Sequence, residues 1–320
     1  MKKIYTILLS AIVALGFSAC AGNTPSVAEQ NKGQNVQIMT SDNTDGKITP
    51  ASIGDAFTSV GLTMAGNNDM NKPFSLRFHN TYYKTYNLAM YYDSALTLKL
   101  IKKYPQFGAL TPLTMSIWSD GNTMNISTLS IEGMARTGEI PLNDPDLVAY
   151  AALIQKALHT AMPNGHFKAL NYTVKFPDKS LKTKFEADVE ETDDIDSFKE
   201  DFEAEFEGEM EPLGFLMPNY INMKEELFDD ETNDQYDFYD TYSICKFDVI
   251  YPVSKLHPEA GAFAPCSMYI YKKKGEDKMH MGWLNVDNWI TTLDIEDEES
   301  IKPLREAQGM IEKIMNELTQ

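Results

Sequence analysis

The sequence predicts an α+β protein made of two tandem copies of one domain, and three observations carry that expectation. The stretch Tyr104–Trp118, YPQFGALTPLTMSIW, returns as His257–Tyr271, HPEAGAFAPCSMYIY, with Pro105/Pro258, Gly108/Gly261, Ala109/Ala262, Pro112/Pro265, Met115/Met268 and Ile117/Ile270 identical at a constant offset of 153. The echo continues in order on both sides: Tyr83, Thr85 and Tyr86 match Tyr239, Thr241 and Tyr242 at an offset of 156, and Leu153–Leu158 lies opposite Met310–Met315 at 157. Finally, 320 residues with 43% apolar and 11% aromatic content suffice for two cores, at roughly 150 residues per domain.

The expected segments are a leader over 1–19, a tether over 20–34, a first repeat over 35–165 and a second over 166–320. In the leader, Lys2 and Lys3 precede an apolar run from Ile4 to Phe17, too short to span a membrane and patterned like a cleaved signal. Phe17-Ser18-Ala19-Cys20 resembles a bacterial lipobox. That resemblance implies an acylated Cys20 as mature N-terminus and lipid anchor, and Ala21 in place of Asp resembles the outer-membrane sorting pattern, facing the periplasm. Ala21–Gln34, polar and without apolar period, reads as a flexible tether.

The first repeat opens with a short apolar-alternating piece, Val36–Met39. Thr49-Pro50 reads as an N-cap and first helical position, with Ile53, Phe57 and Val60 on the inward stripe. Phe74–Phe78 and Tyr82–Tyr91 read as strands, and Asp93–Lys103 as a helix leading to the repeated motif. Thr114–Trp118 and Met124–Leu129 form a hairpin through Ser119-Asp120-Gly121-Asn122. Asp144-Pro145 starts a closing helix with Leu147, Ala151, Ile154 and Leu158 inward.

The second repeat is read in the same order. Tyr172–Phe176 is its opening strand, and Phe198, Phe202, Phe206 and Met210 line a helix, with Ser197 and Glu200 as capping box. Fourteen acidic residues and one basic residue, Lys199, lie between Glu186 and Glu211; without EF-hand spacing the run reads as a solvated helix face. Glu225–Asp240 reads as a loop, Ala264–Tyr271 and Lys278–Leu284 as a hairpin, and Glu299–Leu318 as the closing helix.

Pro258, Gly261 and Ala264-Pro265-Cys266, preceded by Cys245, resemble the domain of unknown function 302 family, with its two cysteines around a helix and a Leu-Pro-Cys strand. Ala264 stands where Leu is usual, and Lys246-Phe247 where Asn-Pro is expected; in the first repeat Ala89 and Leu113 stand opposite the two cysteines. The resemblance implies a β-α-β4-α domain like a single TATA-box-binding-protein repeat, an antiparallel sheet with helices on one face. It implies no reaction.

The net charge of −19 excludes polyanions such as nucleic acid as natural partners. Cys245, His257, Cys266 and His280 are the cluster with potential chemistry, yet their spacing is unlike paired zinc ligands, and Met279-His280-Met281 alternates like a core strand; no metal or cofactor is expected. For Cys245 and Cys266 a disulfide stands beside two buried thiols. The first would stabilise by roughly 3 kcal/mol through loop closure, and the second follows from phase, Cys245 falling on the Thr241/Ser243 face and Cys266 with Met268 and Ile270 on the core face. A redox pair lacks the C-x-x-C spacing. Nucleophile elbows, P-loops and dinucleotide fingerprints are absent, so no catalytic residue emerges.

Two function classes remain. In one, a non-catalytic ligand-binding or protein-interaction module, Tyr83, Tyr86, Tyr239 and Tyr242 line a cleft for a small apolar ligand or an envelope protein, within a monomer that carries its own pseudo-dimer. The other is a thiol- or metal-dependent activity at Cys245 and Cys266.

Overall fold

The computed structural model describes residues 34–170, 175, 180–189, 194–227 and 235–319. The leader, Cys20, the tether up to Gly33 and all but Lys175 of the expected strand Tyr172–Phe176 lie outside them.

In the first half the order is β1 (Val36–Asp42), α1 (Pro50–Ser59), β2 (Thr63–Asp69), α2 (Asn71–Phe78), β3 (Tyr86–Tyr92), α3 (Ser94–Lys103), a 3-10 turn (Pro105–Leu110), β4 (Leu113–Asp120), β5 (Thr123–Leu129), α4 (Ile131–Gly138) and α5 (Pro145–Ala161). A two-residue strand, β6 (His166–Phe167), then adds to the edge of β1. The second half follows as β7 (Lys182–Asp188), α6 (Ile195–Met210), a 3-10 turn (Glu211–Leu213), β8 (Leu216–Asn222), α7 (Met223–Glu226), β9 (Tyr236–Cys245), α8 (Phe247–Leu256), a 3-10 turn (Pro258–Ala262), β10 (Cys266–Lys273), β11 (Lys278–Leu284), α9 (Val286–Thr292) and α10 (Glu298–Leu318).

Both sheets are antiparallel with the same strand order: β2-β3-β4-β5-β1 in the first half, with β6 beyond β1, and β8-β9-β10-β11-β7 in the second. The α+β class and the helix-covered antiparallel sheet therefore stand as expected. Helix α1 packs with α5 over the first sheet, and α8 and α6 pack with α10 over the second. Of the inward residues read from the sequence, Ile53, Phe57, Leu147, Ala151, Ile154, Leu158, Phe202, Phe206 and Met210 are buried, whereas Val60, at the C-cap of α1, and Phe198 are only half-buried.

Local chemistry explains the boundaries. The Thr49 hydroxyl accepts the Ser52 N–H, Asp93 that of Leu96, Asp144 those of Asp146 and Leu147, and Asp297 that of Ser300. The Gly121 turn of the first hairpin takes φ 58° and Gly275 of the second 77°, a left-handed conformation that glycine adopts without penalty.

Several expectations are corrected. Phe74–Phe78 is not a strand: Phe74 and Phe78 lie four apart with ring centroids 6.2 Å apart, a helical contact, and Leu76 between them is 73% exposed. The next strand therefore starts at Tyr86. Helix α6 is capped by Asp194, which accepts the Ser197 N–H, so Ser197 is inside the helix and not its cap. Tyr236–Asp240, read as loop, opens β9; Glu186 and Asp188, read as the start of an acidic helix face, lie in β7; and β2, β6, β7, β8, α4, α7 and α9 were not foreseen.

The sheet register also revises the alignment of the halves. Tyr86 opposes Trp118, and Tyr239 opposes Tyr271, 153 residues later. The counterpart of Tyr86 is thus Tyr239, not Tyr242, and that of Cys245 is Tyr92, not Ala89. The same offset relates α3 to α8 and β4 to β10, and pairs Tyr104 with His257 and Asp144 with Asp297. Those last two pairs do the same job: Tyr104 OH donates to Asp144 at 3.1 Å, and His257 Nε2 meets Asp297 at 2.8 Å, each tying the end of one helix to the cap of the closing helix.

Candidate functional site

The face of each sheet turned away from its helices is covered by the repeated motif of the other half. The turn Pro258–Ala262 lies on β4 and β5, where Ser116 donates to Pro258 O (2.6 Å), Ser127 to Glu259 O (2.8 Å) and Thr114 to Ala262 O (3.0 Å). Reciprocally, Pro105–Leu110 lies on β10; Tyr239 OH donates to Pro105 O, and Ser267 Oγ to Pro112 O at 3.0 Å. Close approach requires glycine at both turns: a Cβ on Gly108 would lie 2.6 Å from Tyr269 Cβ, and one on Gly261 2.8 Å from Ser116 Cα. Arg77 and Asp248 pair at 2.6 Å and Lys182 and Glu139 at 3.0 Å across the same junction. Burial holds the Lys182 amine down to about 8, against the pull of Glu139.

The four tyrosines proposed for a cleft are therefore in different places. Tyr86 and Tyr239 are buried in the junction, Tyr86 OH donating to Pro258 O at 3.3 Å, and burial pushes both phenols well up. Tyr83, half-buried, donates to Lys255 O at 3.2 Å at the junction's rim. Tyr242 points to the helix side, its ring 6.3 Å from Phe206. They fill space between elements and do not line an open cleft; alternation along β9 separates Tyr239 from Tyr242.

Beneath α6, Lys199 Nζ meets the wholly buried Asp240 at 2.6 Å and the Tyr220 OH at 3.1 Å. Glu203 joins them, and burial, together with the Asp240 charge, pushes its carboxyl up to about 7 although the Tyr242 hydroxyl and Lys199 favour the ion.

The other concentration of unusual chemistry is a cavity of about 50 Å³ in the second half, between the ends of β9 and β10, β11 and helices α8, α9 and α10. Its wall includes Cys245, Cys266, Trp283, Trp289 and Ala307. Thiols stand here where the first half has Tyr92 and Leu113. Gln308 accepts the Trp283 Nε1–H at 3.3 Å, whereas the buried Trp289 Nε1–H has no partner among the described residues, a costly arrangement. Both cysteines are free thiols. Burial pushes Cys245 up to about 12, opposed by the Lys246 N–H, and pushes Cys266 further still, helped by the neighbouring Cys245.

The cavity brings the two cysteines together but neither histidine. His257 pairs with Asp297 and Glu259 on the far end of α8, and His280 with Glu276 and Glu186 on the hairpin surface. Among the described residues no group of three His, Cys, Asp or Glu is placed to hold a metal ion, and no helix is long and apolar enough to cross a membrane. Trp289 was missed because α9 was missed; the signal was its place five residues after Leu284, at the end of an otherwise apolar hairpin.

The fold thus defines an α+β protein of two like-ordered sheets. Residues 191–318, which contain the cavity, match the family model described as domain of unknown function DUF302. The crystal structure of an uncharacterized conserved DUF302 protein from Bacillus stearothermophilus is similar at 12% sequence identity and a TM-score of 0.33, over 43% of this chain and 98% of that one. No curated protein matches the chain.

Proposed function

We propose that this chain is a lipid-anchored, non-catalytic binding module of the bacterial cell envelope whose halves are two copies of one domain, the second holding the ligand. The observation that carries the ligand site is the apolar cavity itself, one of whose wall residues, Trp289, keeps a buried indole N–H with no partner among the described residues. Such a site favours an apolar group bearing one hydrogen-bond acceptor. A cavity of about 150 Å³ holds benzene, so about 50 Å³ takes roughly two or three heavy atoms, the inserted end of a ligand. The leader pattern supports the anchor: acylated Cys20 would hold the module at the outer membrane, facing the periplasm, on the 21–34 tether. The reciprocal junction supports a monomer, because each half covers the sheet of the other. Desolvation of the buried Cys245 and the half-buried Cys266 favours their protonated form and weighs against thiol catalysis at neutral pH.

The test is a titration of the purified chain with methanol through 1-butanol, followed by tryptophan fluorescence. Saturable binding that weakens in Trp289→Phe is expected. A linear solvent response, or a Trp289→Phe protein that binds as wild type does, would refute the site.

A further inference from the structure

Helices α1 and α6 hold the same place in the two halves, each leading into the edge strand of its sheet, yet they are tied down by different chemistry. In the first half Asn67 of β2 donates to Pro50 O at the start of α1 (2.8 Å), and Asn87 of β3 donates to the Asn67 side chain (3.0 Å), a tie of neutral amides. Asn67 pairs with Ala89, and Tyr220 of β8 pairs with Tyr242, 153 residues after Ala89, so Tyr220 and Asp240 occupy those two places in the second half. Lys199 reaches them from α6, and the same ammonium lies 3.9 Å from Glu203, one turn further along the helix.

One ammonium therefore faces two carboxyls that water barely reaches: the Asp240 side chain is fully buried and that of Glu203 is 14% exposed. It neutralises only one of them, Asp240, the nearer at 2.6 Å. Glu203 holds a proton, which it donates to Asp240, and the Tyr242 hydroxyl of β9 faces it as well. Helix α10 also packs against α6, but among the described residues it pairs no basic residue with either carboxyl. The far end of α6 reaches the cavity. Its last residue, Met210, accepts the Phe215 N–H at 3.3 Å, Lys246 Nζ donates to Leu213 O and lies 5.1 Å from the centroid of the Phe215 ring, and Phe215 lines the cavity wall.

We propose that Lys199, Glu203 and Asp240 form a proton-operated latch that holds α6, and through it Phe215, against the second sheet. With the proton on Glu203 the cluster carries one positive and one negative charge. When Glu203 gives that proton to water, two carboxylates share one ammonium in a dry site, and their repulsion loosens α6. Burial and the Asp240 charge hold the Glu203 carboxyl up at about 7, so the latch is fastened in acid and slackens as pH rises through that value. The amides of the first half carry no such dependence. The latch stands on atoms outside the binding reading and meets it at Phe215 alone.

Hydrogen exchange of the full chain is measured at pH 6 and pH 8, with α1 as the reference within the same chain that cancels the intrinsic effect of pH on exchange. The protection of α6 relative to α1 should fall about tenfold between the two, as follows for a carboxyl that titrates near 7, and the Phe215 amide should fall with it. The fall should vanish in Glu203→Gln, and also in Asp240→Asn, which copies Asn87 and leaves Lys199 to Glu203 alone. A constant ratio in the wild type, a fall that persists in either variant, or a Phe215 amide that keeps its protection while α6 loses it would overturn the latch. No ligand enters this experiment, so a failed alcohol titration leaves its result standing, and a failed latch leaves the cavity reading standing.

Discussion

Substituting Gly261→Ala probes the junction where one half covers the other. The added Cβ would lie 2.8 Å from both Ser116 Cα and Leu88 Cδ2, and the first of these is backbone in an inner strand that has nowhere to move. Overpacking of this kind costs about 1–3 kcal/mol, and the rigid neighbour puts Gly261 near the top of that range. Three hydroxyl-to-carbonyl bonds stand on the same turn, from Ser116, Ser127 and Thr114, each with a net worth of about 1 kcal/mol. If the turn lifts to relieve the clash, the loss grows toward about 6 kcal/mol, comparable with the whole stability of many domains. Urea unfolding read by Trp118 in the first half and Trp283 and Trp289 in the second should show a lower midpoint and, if the halves uncouple, two transitions. Gly309→Ala is the control: nothing lies within 4 Å of its Cβ position in α10, so it should stabilise by about 0.5–1 kcal/mol. A Gly261→Ala protein within about 0.5 kcal/mol of wild type would refute the reciprocal junction as a source of stability.

Two pH effects follow from paired groups. Burial alone would lower the His257 value, but Glu259 and Asp297 outweigh it and hold it above 6.5, so its stabilising charge is complete below 6.5 and is lost as pH rises through the raised value. His257→Tyr, copying Tyr104, should flatten that part of a thermal-melt pH profile; an unchanged profile would show that another group is responsible. Glu203, an acid raised from 4.5 to about 7 chiefly by burial, binds its proton more tightly when folded, so its contribution to stability falls between those values and stays low above them. Glu203→Gln should therefore gain on the order of 1–3 kcal/mol at pH 8 relative to pH 5 in urea unfolding, and an equal effect at both pH values would contradict the assignment.

The repeated motif was legible because its identities sit at close backbone contacts: Gly108 and Gly261 face the opposing sheet, and no other residue fits. Element types near strong caps, such as Asp93 and Asp144, were legible for the same local reason. The alignment slipped by three residues at β3 and β9 because tyrosines recur there at that interval, at 83 and 86 and at 236, 239 and 242, and only hydrogen-bond register distinguishes them. The edge strand β2, Thr63–Asp69, is polar and largely exposed, so it has no apolar alternation to read. The cavity was half legible: both cysteines were singled out, but Trp289 and Ala307 reach them only through tertiary packing.

The most direct test of the binding-module account is a native mass spectrum of the chain purified from the membranes of its own cell. The account predicts a monomer that begins at Cys20, carries acyl chains and retains a noncovalently bound small molecule, which disappears in Ala307→Leu, where the added side chain fills the cavity. A chain that retains the leader, or a bound species indifferent to Ala307→Leu, would contradict it.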